Sequence, residues 1–464
     1  MVTIHDVQVV RAGRTLLQHF SWSIGEGENW IITGKNGCGK TTLLELLAGN
    51  LHASQGEVNY SFVEGDTWEQ RYWDKKRKIK LIPTHAIHAL FRGNSELYYQ
   101  QRYYTSGSEP RLVRSLFEND TARIHELKLP ASLNVDALFD RGIDRLSNGQ
   151  LKKILLLQSM LQGTPRMLLL DYPFEGLDPQ SREDLSAFID FLSREHGVQI
   201  MLVDHHHHLP KVMNRRLTLD NFQVVDKAIV NPRFTTTQAR SEKKIIAGDH
   251  TGVQQPVVDI RNLHVRYGNT TVIDNFNWTI YPGDRWALLG RNGSGKTTLF
   301  SLIFADHPMA YSQEIYLFGK RRGSGESIWD IKKRINYLGP ELVSYLNPST
   351  IFMSAQNYIT GLHLKPDQRK LNALVDYFGA AEWFGRPVRF LSSGELQLML
   401  IISAFLEEKE ILLLDEPFQF LDIKQKNRVT EYLQGHLSSQ ITLILITHYE
   451  EDIATWTEKT MMLP

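Results

Sequence analysis

Gly290-Arg-Asn-Gly-Ser-Gly-Lys-Thr297 fits the pattern Gly-x-x-x-x-Gly-Lys-Ser/Thr. Asp284-Arg-Trp-Ala-Leu-Leu289 before it reads as a short buried strand, and Thr298-Leu-Phe-Ser-Leu-Ile-Phe304 after it is apolar enough to open a helix. Strand, glycine loop and helix together make a phosphate cradle. Gly290, Gly293 and Gly295 let backbone N–H groups turn inward, and the helix N-terminus adds positive potential. Lys296 reaches the terminal phosphates and the Thr297 hydroxyl can hold Mg²⁺, with Arg291, Asn292, Ser294 and Thr298 completing the candidate nucleotide-binding set. A single match of this kind can be no more than a flexible turn. Here it recurs as Gly34, Lys35, Asn36, Gly37, Cys38, Gly39, Lys40 and Thr41, followed by Thr42, again after an apolar strand, Trp30-Ile-Ile-Thr33. The chain is expected to bind nucleoside triphosphate twice.

The 464 residues are too many for one core and suit two or three domains. Formal net charge is zero, so nothing global argues for nucleic acid or an anionic membrane surface. The one cysteine, Cys38, allows no internal disulfide and suits a reducing compartment. No segment approaches the ~18 uninterrupted apolar residues of a membrane span, and Met1-Val-Thr-Ile-His5 lacks a signal-peptide pattern. The expected location is cytoplasmic, or peripheral at the inner face of the plasma membrane through a partner.

The whole chain is a repeat. Residues 1 to about 25 alternate polar and apolar, as antiparallel strands do, and the layout returns at Val257–Ile280. Trp22 matches Trp278 and Lys40 matches Lys296, both 256 residues apart (278 − 22 and 296 − 40). Trp73-Asp-Lys-Lys-Arg-Lys-Ile-Lys-Leu-Ile-Pro83 matches Trp329–Pro340, and helical patterns follow at Arg111–Phe117 and Leu371–Phe378. Leu146-Ser-Asn-Gly-Gln150 and Leu391-Ser-Ser-Gly-Glu395 each open an apolar helix. Two hydrophobic strands then end in acid, Met167–Asp171 before Tyr172 and Ile411–Asp415 before Glu416, and each half closes on a buried strand and a histidine, His205 or His448. Leu217–Val225 reads as a closing strand pair. The expected division is a first domain over 1–227, a polar linker broken by Pro and Gly over 228–256, and a second domain over 257–464.

With these motifs in hand, the chain resembles the twin nucleotide-binding proteins of the ABC ATPase superfamily, over nearly its whole length except the linker. Within them it is most similar to the ModF/PhrA-type twin ATPases associated with molybdate transport, through Leu317-Phe-Gly-Lys-Arg-Arg-Gly-Ser-Gly-Glu-Ser-Ile-Trp-Asp-Ile-Lys-Lys333 and the fused, membrane-free layout. The resemblance implies an α/β fold of two P-loop domains, each with a RecA-like mixed sheet core, an antiparallel β subdomain and a helical signature subdomain. It also implies a Mg²⁺-dependent ATPase in which one molecule closes on itself as an internal pseudo-dimer, each ATP held between one glycine loop and the other half's signature. A signature at a helix N-terminus is an anion site, but alone it offers too few contacts for a triphosphate.

On that pattern one composite site takes Gly290–Thr297, Asp415, Glu416 and His448 with Ser147, Asn148, Gly149 and Gln150. Thr297 and Asp415 would hold Mg²⁺, Glu416 would be the base or orient water, His448 would steady the γ-phosphate and Tyr267 would stack on adenine. The other site takes Gly34–Thr41, Asp171 and His205 with Ser392, Ser393, Gly394 and Glu395, its Mg²⁺ on Thr41 and Asp171. It is degenerate. Tyr172 stands in place of Glu416, and a phenol whose pKa is about 10 is a poor base at neutral pH. Arg11 stands in place of Tyr267, and Glu395 puts a carboxylate beside an anionic ligand. Both halves also lack the glutamine that related ATPases carry before the helical subdomain; the aligned residues are Thr84 and Pro340, with His85 and Glu341 one place on.

His205-His-His-His208 resembles a metal tract, yet four adjacent ligands cannot converge on one ion, so one phosphate histidine with exposed neighbours is expected. Tyr98-Tyr-Gln-Gln-Arg-Tyr-Tyr104 reads as a partner-docking or packed surface, and the runs Lys75–Lys78 and Lys332–Arg334 as solvated flanks of a repeated strand. Three functions fit: the ATPase of a molybdate-type transport system, a twin ATPase acting on ribosomes or nucleic acid, and a nucleotide-gated protein-binding switch.

Overall fold

Met167-Leu-Leu-Leu-Asp171 and Ile411-Leu-Leu-Leu-Asp415 are buried at every position. A strand sends alternate side chains to opposite faces, so such runs belong where both faces of a sheet are covered. The computed structural model places them there. It describes residues 1–11, 14–84, 86–87, 111–117, 124, 127, 129, 135–143, 146–161, 163–204, 209–220, 222–229, 255–267, 270–339, 350–363, 366–447 and 457–463. The chain divides into two compact units, Met1–Gln238 and Ala239–Pro464.

The first unit contains strands β1 (Val2–Arg11), β2 (Arg14–Ile24), β3 (Trp30–Gly34), β4 (Gln55–Tyr60), β5 (Ile79–Ile82), β6 (Met167–Asp171), β7 (Gln199–Val203), β8 (Arg215–Asp220) and β9 (Gln223–Ile229). Strands β2, β1 and β4 form an antiparallel sheet in that order. The core sheet runs β5-β6-β7-β3-β8-β9, parallel except for β9 at its edge. Its helices are α1 (Lys40–Leu47), α2 (Trp68–Lys78), α3 (Asn148–Leu161) and α4 (Pro179–His196).

The second unit contains β10 (Val258–Tyr267), β11 (Thr270–Ile280), β12 (Arg285–Leu289), β13 (Glu314–Leu317), β14 (Lys320–Arg321), β15 (Ile335–Leu338), β16 (Ile411–Asp415), β17 (Thr442–Ile446) and β18 (Lys459–Met462). Its helices are α5 (Lys296–Ile303), α6 (Ile328–Lys332), α7 (Ala355–Leu362), α8 (Gln368–Phe378), α9 (Ala381–Phe384), α10 (Ser393–Leu406) and α11 (Ile423–Gly435). The antiparallel sheet runs β11-β10-β13-β14 and the all-parallel core β15-β16-β17-β12-β18. That is the path of the first unit's parallel strands, taken through the matching segments. The expected α/β class and repeated architecture are what the chain has.

Each core sheet separates two hydrophobic layers. Leu168 and Leu170 of β6 face a layer formed with α3 and α4, while Met167 and Leu169 face one formed with α1 and the antiparallel sheet. Leu412 and Leu414 of β16 divide from Ile411 and Leu413 in the same way. Full burial of such side chains stabilises by about 1.5–3 kcal/mol each. The antiparallel sheets are pinned by equivalent tryptophans, Trp22 edge-on to Trp30 at 5.1 Å and Trp278 edge-on to Trp286 at 5.6 Å.

One expectation fails locally and another holds only in part. Arg111–Phe117 does not continue as a helix; it makes only a 3₁₀ turn, Val113–Leu116. Backbone bonds from Val113 N–H to Arg141 O and from Ile143 N–H to Arg111 O tie the segment to residues 139–143 instead. The Lys75–Lys78 run flanks strand β5 and exposes Arg77, but its three lysines are only partly solvated. A capping box between Thr67 and Gln70 starts α2, and the run forms its last turn, where helix carbonyls favour cations. Lys78 is only 19% exposed and pairs with Asp74 at 2.9 Å.

Candidate functional site

Both glycine loops leave the carboxyl end of a central parallel strand and enter a helix. Gly34 and Gly290 have φ of 141° and 154°. A Cβ on Gly34 would lie 2.1 Å from Leu219 O and one on Gly290 3.0 Å from Leu463 O, and the positive φ of both adds strain for any side chain. Lys40 Nζ donates to the carbonyls of Gly34 and Lys35, 2.7 Å each, and Lys296 Nζ to those of Gly290 and Arg291 at 2.7 and 2.9 Å. Each ammonium is thereby aimed across its own loop, where phosphate oxygens can replace the carbonyls. Thr297 Oγ1 donates to Asp415 Oδ2 at 2.9 Å, and Thr41 Oγ1 to Asp171 Oδ2 at 3.1 Å. A hydroxyl beside a carboxylate is the hard oxygen set that Mg²⁺ takes, so both pairs fit that ion. Asn36, Gly37, Cys38 and Gly39, like Asn292, Gly293, Ser294 and Gly295, complete the loops, with Thr42 and Thr298 in the first helical turns. Burial pushes the Cys38 thiol up, which keeps it protonated.

Tyr172 and Glu416 occupy the same backbone position. Each has φ of 50°, in the left-handed region that a non-glycine residue rarely adopts. Each donates its N–H over 2.9 Å to the next parallel strand, at Val203 O and Ile446 O respectively. Both side chains are buried. Burial, then the nearby carboxylates of Asp171, Asp204 and Glu175, raise the Tyr172 hydroxyl well above the ordinary tyrosine value. Asp171 is pushed up to about 6 by burial, against hydrogen bonds from Thr84 and Thr41. Thr84, aligned with the missing glutamine, thus closes on Asp171 itself, its Oγ1 lying 3.0 Å from Oδ2.

The surroundings diverge as well. Where the second half has Gln397, Gln419, Lys426 and Thr447, the first has Lys152, Glu175, Arg182 and Asp204. Gln397 Nε2 donates to Pro417 O at 3.0 Å, whereas Lys152 Nζ donates to Glu175 O at 2.6 Å. Burial pulls Lys152 down to about 8.

The signatures open α3 and α10 as matched capping boxes. Gln150 N donates to Ser147 Oγ and Ser147 N to Gln150 Oε1; Glu395 N donates to Ser392 Oγ and Ser392 N to Glu395 Oε2. Asn148 and Gly149, like Ser393 and Gly394, form the first turns. The Glu395 carboxylate is turned onto its own helix end, with Arg386 Nη1 at 3.4 Å. Glutamate and glutamine thus make the same pair of capping bonds at this position.

Tyr267 closes β10, its hydroxyl 2.8 Å from His307 Nε2. Sequence reasoning missed His307 and the Thr84 contact; the signal available for His307 was that it and Tyr267 both depart from their repeat partners, Leu51 and Arg11. His85, Tyr98–Tyr104, His205–His208, Pro340, Glu341 and His448 lie outside the described residues, as does the Arg11 side chain. A cavity of about 480 Å³ lined by Asn29, Arg166, Arg194 and Gln199 sits where the strands begin, at the opposite end of the sheet from the glycine loop. Among the described residues no helix is long and apolar enough to cross a membrane.

Comparison with known proteins agrees with this geometry. The ABC transporter family profile matches residues 17–175 and 273–419. The chain is 28% identical to the ABC transporter ATP-binding protein ModF of Escherichia coli, covering 93% of this chain and 90% of that one. It is 27% identical to an uncharacterised ABC transporter ATP-binding protein of Schizosaccharomyces pombe, over 94% and 92%. Among solved structures, the fold resembles that in a model of ribosome-bound archaeal Pelota and ABCE1, with a TM-score of 0.63 and 19% identity over 99% of this chain and 76% of that one. It also resembles RNase-L Inhibitor, with a TM-score of 0.56 and 20% identity over 99% and 88%. Both glycine loops, both signatures and both acidic strand ends fall inside the matched regions, and the chain therefore belongs to the ABC transporter family as a tandem ABC ATPase.

Proposed function

We propose that this tandem ATPase hydrolyses ATP with Mg²⁺ at the site built on Gly290–Thr297, Asp415 and Glu416, while the site on Gly34–Thr41 and Asp171 holds ATP with little turnover. The observation that carries this reading is the pair Glu416 and Tyr172, offered on identical left-handed backbone. A carboxylate there can accept a proton from water or orient it; a buried phenol whose pKa is raised further cannot at neutral pH. Lys296 exchanges its loop carbonyls for phosphate oxygens, His448 steadies the γ-phosphate and Tyr267 stacks on adenine. Thr297 and Asp415 would hold the magnesium, which would supply positive charge against the negative charge developing on the phosphates. By resemblance to ModF-type proteins we assign the chain to a molybdate-type transport system, as its energy-transducing or regulatory ATPase, working as a monomer.

The site reading is tested with Glu416→Gln and Tyr172→Phe. Gln keeps volume and hydrogen bonding but removes the base, so phosphate release should fall by ~10²-fold or more, about 2.7 kcal/mol, with radiolabelled ATP retained through gel filtration. Tyr172→Phe should leave turnover nearly unchanged. The reverse pattern assigns the working site to the first half. Affinity capture with and without ATP tests the partner: a membrane transporter subunit supports the transport reading, and a ribosome or nucleic acid overturns it.

A further inference from the structure

We propose that His307 is a positioning residue for ATP: it fixes the ring of Tyr267 at the adenine and so raises the nucleotide affinity of the second-half site alone. The proposal rests on the reading of Tyr267 as the adenine platform.

His307 is only 1% exposed and follows α5, the helix that begins at Lys296. Its backbone N–H donates to Ser301 O at 3.2 Å, and Ser301 Oγ donates to Thr297 O at 2.7 Å. Its Nδ1 accepts from Met309 N–H at 3.1 Å, capping the short 3₁₀ helix Pro308–Ser312. An Nδ1 that accepts places the ring proton on Nε2, so Nε2–H donates to the Tyr267 hydroxyl oxygen over 2.8 Å. Burial holds His307 down to about 4, which keeps the imidazole neutral at pH 7 as this arrangement requires. An unbroken path of hydrogen bonds therefore runs from Thr297, at the phosphate end, through Ser301 and His307 to Tyr267, at the base end. Tyr267 is the terminal residue of its strand and half-buried against the core, and its hydroxyl contact with a buried imidazole adds a directional restraint on the ring.

The first half carries the same backbone without the device. Leu51 N–H donates to Glu45 O at 3.3 Å, the counterpart of the bond from His307 to Ser301, yet leucine has no donor to extend the path. Arg11 stands where Tyr267 would be. Tyrosine and histidine thus occur together in one half, and neither occurs at those positions in the other.

The experiment measures KM for ATP and kcat of phosphate release on the full chain with His307→Leu, His307→Gln, Tyr267→Phe, Tyr267→Ala and the double variant His307→Leu/Tyr267→Phe. Losing one hydrogen bond of ordinary strength should raise KM about 3- to 10-fold, with kcat changed less than about twofold, because the contact serves binding and transition state alike. His307→Leu and Tyr267→Phe should give the same rise, the double variant no more than either, and His307→Gln, which keeps a donor, should recover most of the affinity. Multiplying effects in the double variant would mean that His307 acts through general packing, and the proposal fails. It fails too if Tyr267→Ala raises KM while His307→Leu and Tyr267→Phe do not, with the adenine platform left standing. An unchanged KM for Tyr267→Ala removes the platform itself and the proposal with it.

Discussion

The first and second halves of this chain share one frame and differ in the side chains it presents. Their parallel sheets follow the same strand order, their lysines fold onto equivalent loop carbonyls, and Tyr172 and Glu416 adopt the same φ. What changed is the chemistry at the strand end: phenol for carboxylate, a lysine with two acids for two glutamines and a threonine, a threonine closing on Asp171. The lesson is that a nucleotide fold can keep its phosphate cradle while the residue after the acidic strand end changes from carboxylate to phenol. The cradle is built from backbone and two loop residues, whereas the base is a single side chain.

The strongest attack on this comparison removes the two lysines. Lys296→Ala should abolish turnover, a loss on the order of 10²–10⁴ in rate, while Lys40→Ala should mainly weaken nucleotide binding. Equal residual phosphate release in the two variants would erase the distinction between the halves. A smaller effect concerns Asp171, whose carboxyl is pushed up to about 6 from an ordinary 3.8. Its folded pKa is raised, so burying the charge costs stability above pH 6, and that cost disappears as pH falls through 6 towards 4. Without nucleotide and Mg²⁺, Asp171→Asn should therefore protect the 167–171 amides from hydrogen exchange at pH 8, by on the order of 2 kcal/mol, and give no gain near pH 4. A gain independent of pH would mean that ionisation of Asp171 is not its source.

Helix caps should not distinguish the halves at all. Asp178 accepts from Ser181 N–H at 2.9 Å to start α4, and Asp422 accepts from Gln425 N–H at 2.8 Å to start α11. Replacing either by alanine should cost about 1 kcal/mol in denaturation experiments. A large disparity would show that the shared frame is not equally stable. The smallest effect is reserved for Glu395→Gln, which installs the first half's last signature residue, Gln150. The capping bond survives and only the partly exposed contact with Arg386 is lost, so thermal stability should change by less than about 0.5 kcal/mol.

Much of this was legible in the residues. Glycine loops, signatures and acidic strand ends are short contiguous patterns, because phosphate is bound by consecutive backbone amides and a helix N-terminus, and one stretch of chain supplies both. The buried runs Met167–Asp171 and Ile411–Asp415 announce a covered parallel sheet for an equally local reason, since every side chain must be apolar when both faces are packed. The pattern at Arg111–Phe117 misled because bonds to residues 139–143 outbid a local helix.

Only the tertiary structure decided the contacts that cross the chain. Thr84 meets Asp171 because β5 lies beside β6, although the two residues are 87 apart in sequence. His307 meets Tyr267 because the end of α5 reaches the end of β10, 40 residues away in sequence. Sequence names the groups a site can use; the packing of sheet against helix sets which of them come within hydrogen-bonding distance of each other.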